Sequence, residues 1–382
     1  MYKLYGIPAS LYTAKVRSYL RKQRIEFTEY GVNSQHYQQN IVPNVGRFIM
    51  PVIETSDGHL IQDGAEIIDY LEQSETPLLP AQAESSILKT VSHLFELFGG
   101  EGMLRPAMHY RWNFDEQIDF VKNDFASGMA APGTDQGGVD ALFEMASGAM
   151  RAAKKAFGVM DESIPLIEES YKEFLALFSA HLKQYPYLLG GRPTYGDYGL
   201  VAALYAHLGR DPVPAMLTRT IAPQVSRWVE RMHAPEAVEV EYQDTGTDLM
   251  EGSEIPDTLK ALMTYISEEY LPELRAHVDY ANEWLANNQD LQTGTNGLDK
   301  PGARVIGNAE FEWRGVTLRT AVMPYRFYLL QRIQKAFEQA SDPDKVTIKT
   351  LFEETGLAAV LTLKTDRPVE RVNHLEVWGE KR

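Results

Sequence analysis

Apolar residues near the start of the chain recur with two different spacings, one typical of strands and one typical of helices. Residues 2–5 and 26–32 alternate apolar and polar side chains, which is typical of short strands. Between them, over residues 10–24, apolar side chains such as Val16 and Leu20 recur four positions apart. That spacing predicts a helix, because positions four apart lie on one helical face. The pattern therefore predicts a strand, a helix and a second strand.

A hairpin and a further helix follow. The segment Ser-Asp-Gly-His at 56–59 is a turn signal between the apolar pairs at 52–53 and 60–61, and it predicts a hairpin. Residues 63–72 then have the spacing of an amphipathic helix. The order βαβ followed by ββα is the thioredoxin arrangement, and we expect an α/β domain of this kind over residues 1–77.

Residues 82–235 are predicted to form a second, all-helical domain after a short linker at 78–81. Helical spacing recurs in five segments, 85–98, 115–121, 141–157, 167–182 and 222–232. Four glycines and a proline at 126–139 predict an exposed loop. Thr194 and Asp197 open a further apolar run that continues through Leu208.

Residues 236–382 are patterned differently and are predicted to form an α+β extension of unknown role. One long helix is expected over about 256–287 and another over about 325–339. The segment at 311–316 resembles a short hairpin, while 361–363 and 375–377 alternate as strands do.

Composition narrows the possible chemistry. The chain has 37 Lys and Arg against 53 Asp and Glu, a net charge of -16, which argues against a nucleic-acid partner. It has no cysteine, so disulfides, thiolate metal sites and cysteine nucleophiles are excluded for this chain alone. The nine histidines show no paired metal-binding motif, so no metal is expected. No stretch approaches the roughly 20 apolar residues that cross a bilayer, and no secretory signal is visible. We expect a cytoplasmic protein with no membrane partner.

Ser10 is the first candidate for chemistry. It stands just before the first predicted helix, where unpaired backbone N–H groups and the helix dipole stabilise an anion. The alternative is that Ser10 simply caps the helix. The same helix carries a basic cluster that we interpret as a solvated face, formed by Lys15, Arg17, Arg21, Lys22 and Arg24.

Two further features accompany Ser10. In Met50-Pro51-Val52, a proline enters a strand, which marks either an edge strand or a cis turn. A cis turn would leave the main chain of Met50 free to pair with an extended peptide ligand. Asp63, between Gln62 and Gly64, starts the next helix and could accept from an ammonium group, although plain capping is the alternative.

Four segments together resemble the glutathione S-transferase superfamily over about residues 1–235. In chain order they read LYGIPASLYTAKVRSYL, RFIMPVIE, IQDGAEIIDYLE and LLGGRPTYGDYGLVAAL. The resemblance implies a thioredoxin-like domain followed by a helical domain of the transferase type, with residues 236–382 as an extra α+β extension. It also implies a homodimer and glutathione as co-substrate.

The resemblance assigns roles to particular residues. Ser10 is implied as the catalytic residue at the glutathione sulfur, Met50 as the partner of the cysteinyl backbone, and Asp63 as the holder of the γ-glutamyl group. Arg47 is implied for the glycyl carboxylate. The remaining residues of the implied glutathione site are Pro51, Val52, Gln62 and Gly64. Gly64 departs from the pattern, because the family usually has a serine there.

The expected reaction is attack of the glutathione thiolate on a hydrophobic, electrophilic small molecule. Candidates for the second-substrate pocket are Met103, Met108, Tyr110 and Trp112, whose alternative is core packing. A glutathione-dependent isomerase or lyase would use the same first site, and a non-catalytic binding or scaffold protein is the rival from another class. The extension, with Trp313, Arg314, Arg319, Tyr325 and Arg326, is expected either to close over the second site or to extend a dimer interface.

Overall fold

A four-stranded mixed sheet forms the first domain. The computed structural model describes residues 1–235, 241–243 and 245–382. The strands are β1 (Tyr2–Tyr5), β2 (Phe27–Tyr30), β3 (Val52–Glu54) and β4 (Leu60–Gln62). Their order is β2-β1-β3-β4, with β1 and β2 parallel and the other two pairs antiparallel. The predicted βαβ and ββα units are confirmed.

Three helices complete this domain, namely α1 (Leu11–Lys22), α2 (Val42–Val45) and α3 (Gly64–Ser74). Val16 and Leu20 of α1 are fully buried, as their spacing predicts. The interpretation of the basic residues of α1 as a solvated face is wrong for Lys15, Arg17 and Lys22, which are 5%, 3% and 0% exposed. Lys15 and Arg17 are buried because each contacts a carboxylate, those of Glu96 and Glu29 respectively.

The second domain is helical, as predicted. Its helices are α4 (Ser86–Leu97), α5 (Leu104–Trp112), α6 (Ile118–Met129), α7 (Gln136–Ala152), α8 (Ile164–Leu182), α9 (Tyr195–Ala206), α10 (Pro212–Ile221) and α11 (Pro223–His233). A capping box is present at the start of α9, where Thr194 and Asp197 bond each other's backbone.

The predicted loop at 126–139 is mostly wrong. Helix α6 continues to Met129 and α7 begins at Gln136, so the connection is short. Phe125 and Phe143 meet edge to face, with ring centroids 5.9 Å apart, and both pack on Trp112. This aromatic contact outweighs the weak helix propensity of the glycines.

The extension is α+β, as predicted. It comprises α12 (Asp257–Glu269), α13 (Leu271–Asn287), β5 (Gly307–Trp313), β6 (Val316–Val322), α14 (Tyr325–Glu338), α15 (Asp342–Glu354), β7 (Val369–Val372) and β8 (Leu375–Trp378). The pairs β5–β6 and β7–β8 are antiparallel hairpins. The predicted boundary at 235/236 adjoins residues 236–240, which lie outside the described residues.

Two expectations for the extension are corrected. The single long helix is broken at Tyr270, because Pro272 fits only the first turn of a helix. The strand expected at 361–363 is absent, and 358–361 form a helical turn that buries Val360 and Leu361 together. Successive residues of a strand would point to opposite faces, so a helical turn suits two neighbouring buried side chains better.

A buried charge cluster connects the thioredoxin-like domain, the helical domain and the extension. Glu96 of α4 is 1% exposed and accepts from Lys15 of α1 at 2.6 Å and from Arg332 of α14 at 3.1 Å. Arg332 also pairs with Asp69 of α3 at 2.5 Å. We call these four residues the Glu96 cluster. None of the described helices has the length and apolar character needed to span a membrane.

We expect the substitution Glu96→Gln to lower the free energy of unfolding by roughly 3–5 kcal/mol, because it leaves Lys15 and Arg332 buried without their shared carboxylate. Chemical denaturation measures this loss. The control is Glu354→Gln, which removes an exposed pair with Lys260 and should cost less than about 1 kcal/mol. Equal losses in the two variants would contradict a joining role for the Glu96 cluster.

Candidate active site

A cavity of about 540 Å³ lies where all three segments meet. Its thioredoxin-like wall includes Ser10, Met50 and Asp63. The helical domain contributes an apolar wall with Leu104, Met108, Phe125, Met150 and Phe157. The extension contributes Arg304, Met323, Tyr325 and Glu376. The extension therefore contributes part of the cavity wall.

Ser10 is the N-cap of α1 and faces the cavity. Its Oγ accepts from the Thr13 amide at 3.3 Å and from the Thr13 hydroxyl at 3.0 Å. These two bonds use both lone pairs of the hydroxyl oxygen. Among the described residues no acceptor is bonded to the Ser10 proton, so it is available to an anion in the cavity. Capping and anion stabilisation are thus compatible here.

Buried polar groups fix the loop that carries Ser10. Arg111 of α5 donates to the Ala9 carbonyl at 3.0 Å and forms a two-bond pair with Asp211 at 2.7 and 2.8 Å. Arg111 and Asp211 are 1% and 0% exposed, which restricts their movement. The helical domain therefore helps to set the position of Ser10.

Met50 and Asp63 lie on the same wall. The Met50–Pro51 peptide bond is cis. Of the two alternatives predicted for this proline, an edge strand or a cis turn, the structure has the cis turn. Asp63 has a φ of 94° and caps α3, its carboxylate accepting from the Ala65 amide at 2.8 Å and from the Glu66 amide at 3.3 Å. Asp63 therefore fulfils the capping alternative while still lining the cavity.

Packing against Lys15 explains why a glycine stands at position 64. A Cβ atom at this position would lie 3.1 Å from Cδ of Lys15, whose stem runs past the glycine to the Glu96 cluster. A serine would crowd that stem. The departure from the family pattern is thus coupled to the buried ion pair.

The structure separates the four residues proposed for the second-substrate pocket. Met108 lies on the cavity wall. Tyr110 instead stacks on Phe114 and Trp112 packs against the aromatic rings of α6 and α7, while Met103 is buried in the main core. Val52 is likewise a core residue of β3, 0% exposed.

Arg47 and Gln62 contact the extension. Arg47 donates two bonds to the Glu376 carboxylate, at 2.8 and 3.1 Å. Arg371 donates to the same carboxylate at 2.6 Å and to Gln62 Oε1 at 2.5 Å. Arg47 and Gln62, two of the residues proposed for glutathione, are therefore engaged by side chains of the hairpin β7–β8.

Sequence reasoning missed the polar residues that reach the cavity from outside the thioredoxin-like domain, namely Glu101, Arg111, His207, Arg304 and Glu376. Tyr325 stands out in the sequence only as one of the aromatic and arginine residues of the extension, and the sequence does not indicate what it contacts. The alternation Leu375-Glu376-Val377 gave no hint, because in a two-stranded hairpin a polar residue between two apolar ones usually faces water.

Family models of known proteins match both the thioredoxin-like domain and the helical domain. Residues 4–77 match the family model of the glutathione S-transferase N-terminal domain, and residues 150–236 match that of the glutathione S-transferase C-terminal domain. The chain belongs to the glutathione S-transferase superfamily. A comparison with curated protein sequences finds no match.

Solved structures of other superfamily members are similar at low identity. A glutathione S-transferase from Rhodospirillum rubrum F11 is 18% identical, with 69% of this chain and 99% of that chain covered and a TM-score of 0.37. Glutathione transferase GSTFuA3 from Phanerochaete chrysosporium is 15% identical, with 63% and 98% covered and a TM-score of 0.43. A glutathione S-transferase from Methylobacillus flagellatus KT, solved with glutathione bound, is 15% identical, with 64% and 99% covered and a TM-score of 0.36.

The surroundings of two cavity residues of this superfamily member, Glu376 and Tyr325, set their ionisation. Burial raises the pKa of the Glu376 carboxyl, but the hydrogen bond from Arg47 and the charges of Arg304, Arg47 and Arg371 outweigh burial and lower the pKa to about 2. Burial raises the pKa of the Tyr325 hydroxyl, and the neighbouring Asp63 carboxylate adds to this effect. At neutral pH Glu376 is thus an anion and Tyr325 a neutral hydroxyl.

Glu376 should stabilise the fold in a pH-dependent way. Its folded pKa lies below the ordinary value of 4.5, so its contribution is present above pH 4.5 and is lost as the pH falls towards about 2. We expect Glu376→Gln to be less stable than the wild type at pH 7, with the difference shrinking below pH 4.5. Denaturation at several pH values measures it.

The control for this experiment is Glu338→Gln, which removes an exposed pair with Lys364. Its stability should stay within about 1 kcal/mol of the wild type throughout. A Glu376→Gln difference that does not change with pH would contradict the assignment of a buried, ionised Glu376.

Proposed function

We propose that this chain is a glutathione-dependent enzyme that activates the glutathione thiolate for attack on a hydrophobic electrophile. The observation that carries the proposal is the position of Ser10. Its hydroxyl lies at the N-terminus of α1 and on the cavity wall, and both lone pairs of its oxygen accept hydrogen bonds from Thr13. Its proton is therefore available to an anion that enters the cavity.

Ser10 acts by stabilising an anion and not by removing a proton. Its O–H donates to the glutathione sulfur, and the positive end of the α1 dipole adds to the stabilisation. Both effects favour the thiolate over the thiol and so lower the thiol pKa. The sulfur then bonds to the electrophilic carbon, and the leaving group departs with its electron pair.

The remaining glutathione contacts are assigned by the same proposal. The main chain of Met50, with Pro51 and Val52 behind it, pairs with the cysteinyl backbone. Asp63 receives the γ-glutamyl ammonium, beside Gln62 and Gly64. The family resemblance implies Arg47 for the glycyl carboxylate, but Arg47 already has a carboxylate partner in Glu376, so the proposal assigns that carboxylate no partner.

The second substrate is proposed to be apolar. The cavity wall opposite Ser10 carries Met108, Phe125 and Phe157 from the helical domain and Met323 from the extension. Thioether and aromatic side chains adapt to varied apolar shapes, which suits a hydrophobic electrophile. A cytoplasmic homodimer completes the proposal.

A second candidate is a non-catalytic binding protein with the same fold. It is favoured by the engagement of Arg47 and Gln62 by Arg371 and Glu376. In this case the cavity would bind an apolar ligand and the Ser10 hydroxyl would have no catalytic consequence.

The substitution Ser10→Ala separates the two candidates. It should raise the thiol pKa of bound glutathione and slow turnover of an activated aryl halide by about 10- to 100-fold, the value of one hydrogen bond to a charged group. Ultraviolet absorbance of the thiolate and steady-state kinetics measure the two effects.

Ser341→Ala is the matched control, because Ser341 caps α15 with the same 3.3 Å bond but lies outside the cavity. It should lose a helix cap worth roughly 1 kcal/mol and keep full turnover. Indistinguishable thiolate titration and turnover in the two variants would refute a catalytic Ser10.

A further inference from the structure

Glu376 lies at the centre of three arginines. Arg47 contacts its carboxylate at 2.8 and 3.1 Å, Arg371 at 2.6 Å, and Arg304 Nε lies 3.8 Å away. The Glu376 side chain is 6% exposed, and those of Arg47 and Arg371 are 8% and 4% exposed. We call these four residues the Glu376 cluster.

Three converging guanidinium groups form a site for a carboxylate. Guanidinium binds carboxylate oxygens through paired N–H donors, and the bonds strengthen when water is excluded. Arg304 and Glu376 line the cavity, whereas Arg47 and Arg371 are not among its lining residues and reach the cavity wall only through their bonds to Glu376. The anion that fills this site is the chain's own side chain.

The hairpin holds Glu376 in place. Gln331 of α14 bonds both the amide and the carbonyl of Val369, each at 2.8 Å. Trp378, two residues beyond Glu376, is 1% exposed and stacks on Trp284 with ring centroids 5.9 Å apart. Both anchors lie at the open end of the hairpin, where Val369 pairs with Trp378. Nearer the turn, Glu376 is held by its bonds from Arg47 and Arg371, so it is not a loosely attached side chain that any entering anion displaces.

We propose that Glu376 determines the charge specificity of the cavity by occupying, with an internal carboxylate, the arginine site that an acidic ligand would otherwise use. Ligands are then bound through their other groups, and a carboxylate directed at Arg47 gains little. The identity of the natural thiol ligand rests on the proposed function, whereas the charge effect rests on the Glu376 cluster alone.

The test compares acid and amide forms of the same ligand. The first pair is S-methylglutathione and its glycinamide, which lack a free thiol and so do not depend on Ser10 activation. The second pair is hexanoate and hexanamide, which need only the apolar cavity. Titration calorimetry and ligand-observed NMR measure binding to the full chain as wild type, Glu376→Gln, Glu376→Asp and the control Glu338→Gln.

The wild type, Glu376→Asp and Glu338→Gln should bind the acid and amide of a pair within about threefold of each other, because an internal carboxylate already compensates Arg47. Glu376→Gln should prefer the acid by about 10- to 100-fold, the value of a bond to a newly unpaired buried arginine. A purely structural role for Glu376 would change thermal stability but not this ratio.

Each result decides the proposal. The proposal is overturned if Glu376→Gln binds the acid and the amide equally in both pairs. It is also overturned if the wild type already prefers the acid tenfold, and this measurement needs no variant. If only the hexanoate pair binds, and Glu376→Gln prefers the acid, the charge effect stands and the glutathione function fails. If S-methylglutathione binds without any change of ratio, the glutathione function survives and the role of Glu376 fails.

Discussion

The buried carboxylate of Glu96 is the constraint on which the assembled structure depends. Burial alone raises the pKa of this carboxyl, but the charges of Arg332 and Lys15 outweigh burial and hold the pKa well below the usual range. The carboxylate therefore needs both cations, and they come from the extension and from the thioredoxin-like domain. An unpaired charge at this depth would cost several kcal/mol, so the three segments are stabilised together.

The cavity follows from that joining. Helix α14 carries Arg332 into the Glu96 cluster and begins at Tyr325, which lines the cavity. On the same helix, Arg326 is 1% exposed and pairs with Glu101 at 3.2 Å and with Glu273 at 2.7 Å. Anchoring α14 at these points places the hairpin with Glu376 beside Arg47. The pocket is thus built from the thioredoxin-like domain, the helical domain and the extension.

Local signals in the sequence predict most of the elements and part of the site. The period of the apolar positions predicted β1 and α1, and the residues around Ser10, Pro51 and Asp63 pointed to one wall of one cavity. Contacts between distant segments were not predictable in this way. Lys15 is predicted to be solvated because nothing near it in sequence indicates Glu96, and Gly64 stands out in the sequence only as a departure from the family pattern although it makes room for Lys15. Helix α5 gave no periodic signal because nearly all its faces are buried, and Glu376 looked like an outward residue of a strand.

The most direct test of the account is a crystal structure of the full chain with S-methylglutathione bound. The account predicts the sulfur within contact of Ser10 Oγ, the peptide backbone beside Met50, and the Glu376 carboxylate still bonded to Arg47. A tripeptide bound outside this cavity, or one whose glycyl carboxylate has displaced Glu376 from Arg47, would contradict it.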